Sequence, residues 1–174
     1  ITATGTSIPS VAFRFRDTSN WLKKLTIGGN VKSIGMNVIG NCRSLAEIEI
    51  PSSVIYVGQE AFSGSGLRRA VVNGGDIDMW AFEFCHGLES IILKEGVTSI
   101  AYDAFGECTN LVSVVIPNSV TNVGNAAFEK CYNLRSVIIG NGVTSIGTST
   151  FSSCNRLENI SMSSNVTNIM ESAF

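Results

Sequence analysis

The sequence predicts an α/β solenoid, a right-handed β–α superhelix with short parallel strands on its concave face and helical turns and irregular segments on its convex face. Three observations carry this reading. Residues 111–133 (LVSVVIPNSVTNVGNAAFEKCYN) are repeated in register by residues 134–156 and 88–110, a period of 23, and self-similarity at such a period marks stacked supersecondary units. The first half of each unit places apolar residues in alternation, as at Val114 and Ile116, the pattern of a half-buried strand. The second half places Ala127, Phe128 and Cys131 at i, i+1 and i+4, one face of a helical turn.

Composition narrows the function classes. The 174-residue chain is 44% apolar and only 15% charged, with a net charge of −2. Nucleic-acid binding needs a basic stripe, and this balance supplies none. The apolar runs are only a few residues long, so no membrane-spanning segment is predicted. The chain lacks an initiator Met and a signal-like segment and stops inside a repeat, so it reads as a portion of something longer.

In chain order, residues 1–21 hide a fragment of the motif: Thr6-Ser7-Ile8 and Ala12-Phe13 keep the separation of Thr98-Ser99-Ile100 and Ala104-Phe105. They read as a degenerate half-repeat forming an N-terminal cap, with Trp21 covering the core's end. A terminal repeat is expected to be atypical because one of its faces meets water. The array itself occupies residues 22–174, with units starting at Leu22, Leu45, Leu67, Leu88, Leu111, Leu134 and a truncated one at Leu157. The unit from Leu45 lacks one residue and carries Ser63-Gly64-Ser65-Gly66 where others place their Cys; the unit from Leu67 is two residues shorter. A local offset is expected there.

Within a unit, L-x-x-[IVL]-x-[IVL] suits a short strand because β-branched side chains pack well on a pleated surface. Pro51, Pro117 or a Gly/Asn pair follows and ends the ladder, since Pro has no N–H and Gly and Asn favour turns. The remaining V-x-x-[IV]-G-x-x-A-F-x-x-C is the expected helical turn. Stacked at about 4.8 Å, the units would build a rod of about 30–35 Å.

The motif LxxVxIPxxVTxIGxxAFxxC resembles the BspA-like (Treponema pallidum-type) leucine-rich repeats, from Leu22 to Phe174 and weakly from Thr6. The better-known leucine-rich pattern places Asn at its ninth position. Here Asn30, Ser53, Gly75, Gly96, Ser119, Gly142 and Asn165 stand there, so no continuous Asn ladder is expected. The resemblance implies an α/β leucine-rich repeat solenoid from secreted or surface-attached proteins used in adhesion to host matrix or to other cells.

The candidate chemistry is sparse. Cys42, Cys85, Cys108, Cys131 and Cys154 each follow the Phe-equivalent position by three residues. No close Cys pair suggests a metal site, and an odd number on one inward layer reads as a buried, unpaired structural column. His86 follows Cys85 but is expected to point outward where the thiol points inward, a poor dyad. Glu89, Glu95, Asp103 and Glu107 are expected on different faces. No catalytic residue, metal site or cofactor is predicted, and the chain reads as not an enzyme.

The outward strand positions are more informative. Four residues after each leading Leu stand Thr26, Glu49, Val71, Ile92, Val115, Ile138 and Ser161, and the middle four are apolar. Mostly polar and charged columns flank them, and these columns hold Arg69, Val112 and Arg135. An apolar stripe with a polar rim suits a protein partner, so Arg69, Val71, Ile92, Val112, Val115, Arg135 and Ile138 form the candidate protein-binding patch. The alternative is a structural spacer or self-associating stalk. The last unit's Ile160, Met162, Val166, Ile169 and Phe174 would then meet another copy and form a homo-oligomer.

Overall fold

The computed structural model describes residues 1–10, 12 and 21–174. Residues 13–20, which include Phe13 and most of the link before Leu22, lie outside the described residues. The rest winds as a parallel β-solenoid in which every unit contributes two strands. The odd-numbered strands are β1 (Thr2–Ala3), β3 (Thr26–Ile27), β5 (Glu47–Ile50), β7 (Arg69–Val72), β9 (Ser90–Leu93), β11 (Ser113–Ile116), β13 (Ser136–Ile139) and β15 (Asn159–Met162). The even-numbered strands are β2 (Ser7–Ile8), β4 (Ser33–Ile34), β6 (Tyr56–Val57), β8 (Gly75–Ile77), β10 (Val97–Ile100), β12 (Asn122–Val123), β14 (Ser145–Ile146) and β16 (Asn168–Ile169).

The odd strands form the first face in three parallel ladders, β1–β3, β5–β7–β9 and β11–β13–β15, with like positions opposed: Val71 meets Ile92, and Val115 meets Ile138. The even strands form a second face that the sequence pattern did not separate from the turn. Six of them, β2 to β12, make one continuous parallel sheet. Residues 2–8 join both faces through Thr2↔Thr26 and Ile8↔Ile34. Trp21, expected to cover the core, is 48% exposed. The shortened unit produces a register shift, with Val97 opposite Gly75 but Ser99 opposite Asp76.

The third side corrects the expectation of helical turns: no helix occurs among the described residues. Two backbone positions per unit are left-handed, one before the Ala-equivalent and one before the Cys. In successive units they include Glu60 and Gly64, Trp80 and Phe84, Asp103 and Glu107, and Ala126 and Lys130, with φ between 53° and 66°. A left-handed residue every fourth position ends a right-handed helix before it closes a second turn. The freed N–H groups reach the next coil instead. Trp80, Phe82 and Phe84 donate to the carbonyls of Tyr102, Ala104 and Gly106, at 3.2, 2.8 and 3.0 Å. The alternate residues close tight turns within their own coil, as Cys85 N–H does on the Phe82 carbonyl at 3.2 Å. Left-handed backbone costs non-Gly residues about 1–2 kcal/mol each. Three net hydrogen bonds at about 1 kcal/mol apiece, plus about 1.5–3 kcal/mol for each buried Phe, exceed that cost.

The core runs the length of the coil. Phe62, Phe82, Phe105, Phe128, Phe151 and Phe174 stack face to face, with centroid spacings rising from 4.9 to 5.6 Å and interplanar angles of 6–9°. Leu22, Leu45, Leu67, Leu88, Leu111 and Leu134 line the opposite wall, all buried. Gly66 stands where the chain crosses close to its neighbour: a Cβ there would overlap the Arg43 carbonyl oxygen.

Candidate protein-binding face

The first face gathers the outward residues of the odd strands. Burial alternates along them, with Glu47 and Glu49 exposed while Ile48 and Ile50 are buried, and the same alternation places Val115 and Ile138 outward. Val115 is 52% exposed, Ile138 50% and Val112 46%. Val71 and Ile92 are half-buried, screened by their neighbours. The structure therefore pairs Val71 with Ile92 and Val115 with Ile138, on ladders whose edge strands β9 and β11 pack as neighbours, with Ser90, Ser113 and Ser136 beside them.

Charge divides the face lengthwise. An open groove of about 780 Å³ lies over the first coils, lined by Lys23, Lys24, Glu47, Glu49, Arg69 and Val71. Among the described residues, Lys23, Lys24, Arg68 and Arg69 form no ion pair. Arg135 reaches Glu158 at 3.8 Å, but both are well exposed, and such a pair contributes little.

The remaining candidates fall elsewhere. All five cysteines are buried and none forms a disulfide. The Cys85 thiol lies 3.2 Å from the Phe62 carbonyl in the preceding coil, and burial pushes it up to about 11. The His86 ring instead turns to the Glu107 carbonyl of the following coil, 2.9 Å from Nδ1, so the two do not meet. Asp103 and Glu107, expected on different faces, both lie on the turn side near Glu83 and Glu60. There, burial first and then the charges of Asp103, Glu107 and Glu60 push Glu83 up to about 7. Glu95 sits apart on a connecting turn, held below the usual range chiefly by the Asn118 N–H, with the Ser119 N–H adding to it. Among the described residues, no group of three or more His, Cys, Asp or Glu could hold a metal ion. No helix among them is long and apolar enough to cross a membrane.

Sequence reasoning missed the exposed aromatics outside the first face. Phe84, Tyr102 and Tyr132 are each more than 40% exposed on the turn side, and Tyr102 meets Trp80 edge to face at 6.1 Å. Ile55 and Tyr56 are exposed on the second face, where Tyr56 donates to Asp78 and this bond pushes the phenol up to about 12. The only available signal was their place outside the inward positions of the repeat.

Comparison with known proteins now bears on this architecture. The family model for the BspA type leucine-rich repeat region matches residues 6–77 and 75–174. The chain belongs to the BspA-type leucine-rich repeat family. Among solved structures, the array resembles the T. pallidum leucine-rich repeat protein TpLRR at 27% identity and a TM-score of 0.68, covering 95% of this chain and 73% of that one. The pneumococcal vaccine antigen PcpA matches at 19% identity and a TM-score of 0.53, covering 97% of this chain and 59% of PcpA. A leucine rich cell surface protein from Faecalibacterium prausnitzii matches at 22% identity and a TM-score of 0.48, covering 97% and 67%. No curated protein sequence matches the chain. Leucine-rich repeat arrays of this bacterial type are repeat scaffolds suited to protein interaction.

Proposed function

We propose that this leucine-rich repeat array is a non-enzymatic adhesion module of a secreted or surface-attached protein, binding a protein partner on its first face. The observation that carries the reading is the exposure of Val112, Val115 and Ile138 in one patch, on strands that pack next to the ladder holding Val71 and Ile92. Isolated exposed apolar residues are ordinary, but a contiguous column with a polar rim is the anatomy of an interface. The location outside the cell is drawn from the family resemblance.

The test replaces Val71, Ile92, Val115 and Ile138 together with Ser, in a chain whose fold is checked by circular dichroism. Binding to immobilised matrix proteins should weaken at least tenfold. Unchanged binding by the folded variant overturns the assignment of this face.

A further inference from the structure

We infer that the partner segment seated on the first face is an amphipathic α-helix, lying along the array with its apolar stripe on Val71, Ile92, Val115 and Ile138 and its acidic end over Lys23, Lys24, Arg68 and Arg69. The inference rests on the reading of this face as protein-binding and adds the chemistry of the partner.

Hydrogen bonding decides first. Within β5, β7 and β9, and again within β11, β13 and β15, the backbone N–H and C=O groups are spent on neighbouring strands, so each of these ladders offers a ligand its side chains. A chain lying across it must satisfy its own backbone, which a helix does internally and an extended segment does not.

Spacing agrees. Strands stack at about 4.8 Å, so the column from Val71 to Ile138 spans about 14 Å over three steps. Three turns of helix rise about 16 Å and present one ridge per turn. The accumulated mismatch of about 2 Å is within side-chain reach. An extended segment presents a side chain to one face every 6.6–6.8 Å, roughly 20 Å over three steps, and falls out of register by a full coil. The adjacent Ser90, Ser113 and Ser136 are short, leaving room for a cylinder of about 10 Å diameter to rest on the taller apolar column.

Charge sets the direction. On the first face of the first three coils, four cations, Lys23, Lys24, Arg68 and Arg69, stand against two carboxylates, Glu47 and Glu49, all exposed. These cations attract the C-terminal end of a helix, the negative pole of its dipole, and the acidic side chains it carries, an attraction that must exceed the small cost of placing carboxylates at that pole.

The experiment uses three synthetic peptides of one length, about 18 residues or five helical turns, and fluorescence anisotropy with the whole chain. One carries Leu at i, i+4, i+7 and i+11 with a Glu/Asp-rich C-terminal end. The second has the same composition with Leu at alternate positions. The third keeps the helical spacing but ends in Lys. The first should bind at least tenfold more tightly than either other. It should weaken tenfold in the Val115→Ser, Ile138→Ser variant, and should lose its advantage over the third in the Lys24→Glu, Arg69→Glu variant. Equal or tighter binding of the alternating peptide, or no binding by any peptide, overturns the helix assignment. In either case, loss of matrix-protein binding in the quadruple Ser variant would leave the face itself standing, so the two readings fail separately.

Discussion

The Cys108 thiol donates to the carbonyl oxygen of Phe82 in the preceding coil, 3.3 Å away. That carbonyl already accepts the Cys85 N–H within its own turn, so the thiol occupies its remaining acceptor position. Cys131 and Cys154 repeat the contact on Phe105 and Phe128, each at 3.3 Å. Cys108→Ala removes both the donor and the packed volume and should cost about 1–2 kcal/mol. Cys108→Ser keeps a donor, as Ser65 occupies this column in the unit from Leu45, and should cost less. Urea unfolding at constant slope ranks the two; Ser costing more than Ala would remove the hydrogen bond from the account.

The phenylalanine column should be weakest where it ends. Phe105 has ring partners on both sides, at 5.1 and 5.2 Å, whereas the ring partner of Phe62 is Phe82 at 4.9 Å, with Ile39 in the coil before it. Each stacked pair adds about 0.5–1.5 kcal/mol beyond area burial. Phe105→Leu should therefore destabilise the chain by about that much more than Phe62→Leu, measured as the difference in denaturant midpoints. Equal losses would make stacking irrelevant beside simple volume.

Ser149 sits in the left-handed column at φ 58°, where Asn37 stands in the first full unit. Asn and Gly tolerate this backbone and β-branched residues do not. Ser149→Asn or Ser149→Gly should stabilise by a few tenths to about 1 kcal/mol, and Ser149→Val should destabilise by more than that. Thermal unfolding of the three variants checks the order.

Glu83 gives the fold a pH dependence. Its folded-state value of about 7 stands above the ordinary 4.5, because burial, with the charges of Asp103, Glu107 and Glu60 behind it, disfavours the ionised form. The folded chain thus holds this proton more tightly than the unfolded chain. The resulting stabilisation is complete below pH 4.5 and is lost as pH rises through 7. Glu83→Gln should leave the thermal midpoint unchanged at pH 4 and raise it at pH 8, flattening the profile between. An unaltered slope in the variant would place the titration elsewhere.

Much of this was legible in the residues. The period, the unit boundaries and the inward positions follow from the recurrence of Leu, Val or Ile, Ala-Phe and Cys in one register, because a buried site tolerates few residue types. Val115 and Ile138 were legible as outward positions for the same reason: alternation along a strand assigns each residue a side. The half-burial of Val71 and Ile92 was not, since it depends on which neighbours stand above them.

Two matters were decided only by the tertiary structure. One was the second face: Ser99-Ile100 and Asn122-Val123 are too short to announce a strand alone, and become one by pairing with the coil beside them. The other was the conformation of the Ala-Phe-x-x-Cys segment. Its apolar spacing of i, i+1 and i+4 fits a helical turn and equally fits turns punctuated by left-handed residues such as Asp103 and Glu107. By itself the sequence determined which side chains the segment buries. The carbonyls of the next coil, one unit away in the chain and reached by the N–H groups of Asp103, Phe105 and Glu107 at 2.9–3.1 Å, decided the backbone that buries them, because those hydrogen bonds exist only once the coils are stacked.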